Sequence, residues 1–205
     1  MRLFEDEAEK AGYKVIAGID EAGRGPLAGP VVSASVVLPL GFMDPEITDS
    51  KKLTPKKRDL LYLKISEHAL FIAIGVADIV EIDKVNILNA SLNSMKRSCE
   101  NLMVKPDFLL IDGKFEIDSE IPQKAIIKGD SRSISIAAAS IIAKVERDRL
   151  MLKFDQLYPE YGFAQHKGYP TKAHKKAIIE HGVTPIHRRT FKGVKEVLSA
   201  KQSPN

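Results

Sequence analysis

Between Lys14 and Val32 an apolar run stops at two adjacent acids, and a turn dense in glycine and proline follows. Val15, Ile16, Ala17, Gly18 and Ile19 form the short continuous run of a strand buried on both faces, and Gly23, Gly25, Pro26, Gly29 and Pro30 forbid its continuation. The strand is therefore expected to end near Asp20. Side chains alternate across a strand, so Asp20 and Glu21 serve one site only if the backbone turns there. Gly23-Arg24-Gly25 then offers backbone N–H groups that no side chain blocks, with one guanidinium suited to phosphate.

The rest of the chain alternates strand and helix. Residues 1–13 are polar and read as a short helix, and Pro30 to Leu38 as a second strand paired with the first through the glycine turn. Thr54-Pro55 is a helix start, with threonine as N-cap and proline at the first helical position. Ala69 to Ala77 and Asp107 to Asp112 read as buried strands. Between them, Val80 to Met103 carries apolar residues at helical spacing, with Asp83 or Asn86 as its cap. Ile121 to Ile127 reads as a further strand. Ser133 to Tyr158 is a long helix whose Ala137-Ala138-Ala139 lets it lie close to a sheet, and another helix spans about Thr171 to His181. This is an α/β pattern with a mixed sheet flanked by helices, divided into a core over 1–160 and a small helical C-terminal subdomain over 161–205.

Three times an acid meets a strand end or a strand–helix junction beside glycine: Asp20-Glu21, Asp112-Gly113 and Gly129-Asp130. Singly, each reads as a turn residue or helix cap, since aspartate satisfies local backbone donors. Together, carboxylates at neighbouring strand ends converge on one sheet edge, where open α/β folds place their sites. Four crowded carboxylates repel unless cations lie between them, and an all-oxygen donor set suits Mg²⁺ or Mn²⁺. Two such ions about 4 Å apart activate a water and stabilise the leaving oxygen of a phosphodiester.

The run Asp20-Glu-Ala-Gly-Arg-Gly-Pro-Leu-Ala-Gly-Pro-Val31 resembles the signature of bacterial ribonuclease HII, the type 2 ribonuclease H. Asp49-Ser-Lys-Lys-Leu53, Ile111-Asp-Gly113, Lys128-Gly-Asp-Ser131 and Gly168-Tyr-Pro-Thr171 follow in family order, so the resemblance spans about Val15 to Phe191. It implies a ribonuclease H-like fold, with Asp20, Glu21, Asp112 and Asp130 as catalytic and metal-binding residues. It implies that Gly23, Arg24 and Gly25 contact the ribonucleotide sugar and nearby phosphates through backbone groups; a 2′-hydroxyl both donates and accepts, so close backbone approach tells ribose from deoxyribose. Tyr169 would stack on the deoxyribose that follows the ribonucleotide. Lys51 and Lys52, with Arg188 and Arg189, are candidate phosphate contacts, which position a duplex without reading its sequence. The implied activity is endonucleolytic cleavage of the RNA strand of RNA–DNA hybrids, and of duplex DNA on the 5′ side of single embedded ribonucleotides, leaving 3′-hydroxyl and 5′-phosphate ends. Two rivals remain open at this point, a junction resolvase on the same scaffold and a non-catalytic hybrid-binding module whose acids only cap helices.

Composition narrows the setting. At 205 residues with 44% hydrophobic and 28% charged content, the chain matches an ordinary globular domain. A net charge of +4 and a pI near 9.0 favour an anionic partner. The acidic N-terminus lacks the apolar core of a signal peptide, and no apolar run approaches bilayer length, so a cytoplasmic monomer is expected, with no membrane association and protein partners undefined. One cysteine, Cys99, forms no internal disulfide, and His166 and His174 are too far apart for a helical zinc pair. Ser131, Ser133 and Ser140 have no base partner in the sequence and are not proposed as nucleophiles.

Overall fold

The computed structural model describes residues 1–202. Five strands, β1 (Ile16–Ala22), β2 (Val31–Val37), β3 (Phe71–Ala77), β4 (Phe108–Asp112) and β5 (Gln123–Ile126), form one sheet in the order β3-β2-β1-β4-β5. β1 pairs antiparallel with β2 and parallel with β4, while β2–β3 is antiparallel and β4–β5 parallel. The mixed sheet is thus half hairpin meander, half crossover.

The two sheet faces are covered by the two long helices. α3 (Ile79–Glu100) places Met95 and Cys99 against Ala17, Ile19, Leu109 and Ile111. α4 (Ile134–Leu157) covers the other face, and its Ala137, Ala138 and Ala139 are fully buried as the small-residue run predicts. Gly18 shows how close the approach is: a Cβ there would lie 2.2 Å from the carbonyl carbon of Ser135. The start of α4 is pinned from the N-terminus as well. Glu5, on α1 (Leu3–Lys10), accepts from the Ser133 hydroxyl at 2.5 Å and from the Ser135 amide at 3.0 Å, putting a carboxylate on the helix N-terminus. Removing the fully buried Ile141 or Ile142 side chain from this layer costs roughly 2–5 kcal/mol.

Local signals mostly hold. Thr54 caps α2 (Pro55–His68), accepting from the Lys57 amide at 3.3 Å, and Ser133 rather than Asp130 caps α4. Two expectations change. The cap of α3 is Asp78, which accepts from the Glu81 amide at 2.8 Å. Asp83 instead accepts from the backbone amides of Arg189 and Thr190, and Asn86, at φ 71°, kinks the helix and caps its second half through the amides of Leu88 and Asn89.

Beyond residue 160 the chain forms α5 (Phe163–His166), α6 (Lys172–His181) and α7 (Lys195–Gln202). Phe163, Ile178, Ile186 and Val194 share a buried cluster with Met151 of α4 and with Leu27 and Ala28 of the glycine-rich turn. The C-terminal segment therefore folds onto that turn. Among the described residues no helix is long and apolar enough to cross a membrane.

Candidate active site

Because β1, β4 and β5 run parallel, their C-terminal ends share one edge. Asp112 is the last residue of β4, and Asp130 lies in a 3-10 turn (Gly129–Ser131) soon after β5. β1 does not end near Asp20. It continues through Ala22 because β2 keeps pairing with it, Asp20 opposite Ala34 and Glu21 opposite Ser33. On the other side its pairing with β4 stops at Ile19 opposite Ile111. The two acids reach one site without the expected backbone turn because the sheet opens at this point: β1 overhangs the end of β4, and both carboxyls border the space beside Asp112.

Electrostatics mark the cluster more sharply than distances do. Asp20 is 3% exposed. Burial first, then the charges of Glu21 and Asp112, push its carboxyl well above the usual range, against the Ser140 hydroxyl and the Glu21 amide, which donates to it at 2.7 Å. Glu21 is raised by burial and by Asp112, offset by the Arg24 guanidinium at 3.3 Å. Asp112 is raised by burial and by Asp130, offset by the Gly129 amide at 2.6 Å. Lys51 reaches in from the Asp49–Leu53 loop with its ammonium 3.4 Å from Asp130; burial works against that charge, yet Asp130 and Asp20 hold its pKa above the ordinary value. Among the described residues no three of these side chains close on one point. The donor set is nevertheless all carboxylate, mutually repelling and served only by mobile cations, which is what a hard divalent ion neutralises.

Gly23, Arg24, Gly25, Lys51 and Tyr169 line a cavity of about 220 Å³ with Glu21. Ser50 anchors the Lys51 loop, its hydroxyl 2.8 Å from that of Ser140 on α4. Tyr169 is 42% exposed, and a Cβ on Gly25 would touch its ring at 3.5 Å. The edge of the ring therefore comes within van der Waals reach of the glycine loop. Lys52 is not part of this group: its ammonium turns to Asp49 at 3.8 Å and stays exposed.

Two buried arginines shape the loop, and the sequence did not single out either one for this. Arg188, expected as a phosphate contact in a basic tail, is fully buried. Its guanidinium donates to the carbonyls of Gly23 (2.5 Å), Arg24 (3.0 Å), Pro26 (2.8 Å) and Gly29 (2.8 Å). Arg147 of α4 donates to the carbonyls of Ala28, Pro30 and Lys167, each at 3.0 Å. Burial lowers Arg188 to about 9 and Arg147 to about 10, so both remain cations at neutral pH. Gly23, at φ 106°, could not be replaced, since a Cβ would meet the Arg147 Nε at 2.2 Å. Arg189 differs from its neighbour; its backbone amide is held by Asp83 at 2.9 Å.

The loop bearing Tyr169 hangs from a chain of neutral histidines. The Thr184 amide donates to Nδ1 of His187 at 2.9 Å, so the ring proton sits on Nε2, 3.0 Å from Nε2 of His174. That nitrogen accepts, which leaves Nδ1–H of His174 to donate to the Tyr169 carbonyl at 2.9 Å. His166 stacks on His174 with ring centroids 4.5 Å apart and takes the Gly168 amide on Nδ1 at 3.2 Å. The ring nitrogens are taken up by backbone groups and by one another.

A family model described as Ribonuclease HII matches residues 17–194. The chain is 58% identical over 195 residues to the ribonuclease HII of Geobacter sulfurreducens, covering 95% of this chain and 90% of that one. It is 54% identical to the ribonuclease HII of Enterococcus faecalis, covering 97% and 77% of the two chains. The crystal structure of ribonuclease H2 from Pyrococcus horikoshii superposes with a TM-score of 0.76 at 28% identity, over 92% of this chain and 99% of that one. With the matched region reaching from the first strand to the last buried contact of the C-terminal segment, the chain belongs to the ribonuclease HII family and is a ribonuclease H.

Proposed function

We propose that this enzyme cuts the RNA strand of RNA–DNA hybrids and incises duplex DNA on the 5′ side of single ribonucleotides, in the cytoplasm, as a monomer, in the removal of ribonucleotides from DNA. The carrying observation is the juxtaposition of repelling carboxylates at the ends of β1 and β4 with a glycine loop bordered by Tyr169. Asp20, Glu21, Asp112 and Asp130 would hold the metal, Mg²⁺ or Mn²⁺. When bound, such ions activate water and stabilise the charge that develops on a leaving 3′-oxygen.

The protein's own residues do the rest. The backbone of Gly23-Arg24-Gly25 lies against the ribose, where its N–H groups meet the 2′-hydroxyl and the adjoining phosphate. The Tyr169 ring stacks on the following sugar and excludes water from that side. Ser140 and the amides of Glu21 and Gly129 fix the orientation of Asp20 and Asp112. Lys51 neutralises part of the cluster's charge and is free to turn to phosphate. The core over 1–160 supplies the acids and Arg147, and the segment beyond residue 160 supplies Tyr169 and Arg188.

The test is cleavage of duplex DNA holding one ribonucleotide, beside an RNA–DNA hybrid and an all-DNA control, with Mg²⁺, Mn²⁺ or chelator. Cutting of the first two only, dependent on metal, is expected. Cutting of the control removes the ribose-specific reading, and metal-independent binding without cleavage removes catalysis by the acids.

A further inference from the structure

In the segment 23–29 the carbonyls of Gly23, Arg24, Pro26 and Gly29 all turn inward to one guanidinium, that of Arg188. Among the described residues every peptide bond is trans. In a trans peptide the N–H of the following residue points away from the carbonyl. Inward carbonyls at Gly23 and Arg24 therefore force the N–H groups of Arg24 and Gly25 outward, onto the side where these residues line the cavity with Glu21 and Tyr169. Arg24 and Gly25 are both exposed, and neither N–H meets an acceptor among the described residues, so the two donors are open to a ligand. The N–H after Pro26, that of Leu27, is by contrast taken by the Gly168 carbonyl at 2.8 Å.

Arg188 is well placed to act as a template. Residues 186–188 run antiparallel beside 27–29, with Gly29 N–H donating to Ile186 and Arg188 N–H to Leu27. Among the described residues no carboxylate pairs with the guanidinium; the carbonyl dipoles, the Phe191 ring 5.0 Å away and the more distant charge of Asp83 compensate its buried charge. A planar fork of five donors sets the directions of several carbonyls at once, which a lysine ammonium does not.

We propose that Arg188 is a positioning residue for sugar discrimination: it holds the Arg24 and Gly25 N–H groups as a fixed outward pair that binds the ribose hydroxyl and its neighbouring phosphate. This rests on the reading of the glycine loop given above, and the experiment separates the two.

Binding is measured with chelator present, so that no strand is cut, to a duplex with one ribonucleotide and to the same duplex all-deoxy. The wild-type protein is expected to prefer the ribonucleotide duplex by about tenfold, the worth of one or two hydrogen bonds. Arg188→Lys keeps affinity for the all-deoxy duplex but loses most of that preference, and in Arg188→Ala millimolar methylguanidinium restores it. A general packing defect would weaken both duplexes alike and would not be rescued. An unchanged preference in Arg188→Lys overturns the proposal, whereas a wild-type preference of one overturns the loop reading and the proposal with it. If the variants fail to melt cooperatively, the wild-type amide resonances decide. Downfield shifts of Arg24 and Gly25 on adding the ribonucleotide duplex, absent with the all-deoxy one, support the proposal, and unresponsive amides refute it.

Discussion

Asp112 is the residue on which the candidate site turns, because it alone couples the two halves of the acid cluster. Its charge raises Asp20 and Glu21, while Asp130 raises it in turn. Asp112→Asn removes one charge with almost no change of shape and keeps an oxygen for the Gly129 amide at 2.6 Å. Cleavage is expected to fall by two orders of magnitude or more, roughly the worth of an electrostatic group at a transition state. The melting temperature should hold or rise, since a source of repulsion is gone. Near-wild-type turnover in the variant would remove Asp112 from the metal site. This residue was legible in the sequence because its acid beside glycine at a strand end recurs near Asp20 and Asp130, although alone it would read as a turn or a cap. Arg147 and Arg188 were not, since a basic residue in a polar stretch looks like surface, and nothing local shows that seven carbonyls from distant segments converge on them. The pairing of Asp20 with Glu21 was legible in outcome but not in cause: the register with β2 decides it.

Apolar runs and caps gave the strands and helices because both signals are local; the way the Tyr169 loop is hung on α6 depends on ring nitrogens that only the folded chain brings together. His174 and His187 are both lowered to about 4, by burial first and then by neighbouring histidines. In the unfolded chain the same groups titrate near 6.5. Between those values the unfolded state binds more protons, so this contribution to stability is full above about pH 6.5 and is lost as pH falls toward 4. At pH 5 the loss should be about 2 kcal/mol per ring. His187→Gln, whose amide cannot titrate, should cut the decline in denaturation midpoint from pH 7 to pH 5 to roughly half that of the wild type. Comparing the two proteins removes the opposite contribution of the raised carboxyls, which gain stability as they protonate. Equal declines would mean the histidine chain is not held neutral by the fold.

At the scale of the molecule, the site is assembled from both ends of the chain. Glu5 seats the start of α4, Arg147 just past its middle grips the glycine-rich turn, and residues 186–188 grip that turn from the other side. The sequence suggested a core with a helical appendage, since the composition around Tyr158-Pro159 marks a stop and no pattern in a linear chain records that Leu27 and Ala28 pack with Phe163 and Ile178. That cluster argues for one cooperative unit, because opening the C-terminal segment alone would expose these apolar side chains and strand a guanidinium in a half-emptied pocket. Native-state hydrogen exchange tests this directly. The amides of Leu27, Gly29 and Arg188, which donate across the boundary to Gly168, Ile186 and Leu27, should exchange with the same free energy and denaturant dependence as those of Leu109 and Ile111 in the sheet. If they instead open by several kcal/mol more easily, the segment is a separable domain, and the glycine loop would then be shaped only when that domain is closed.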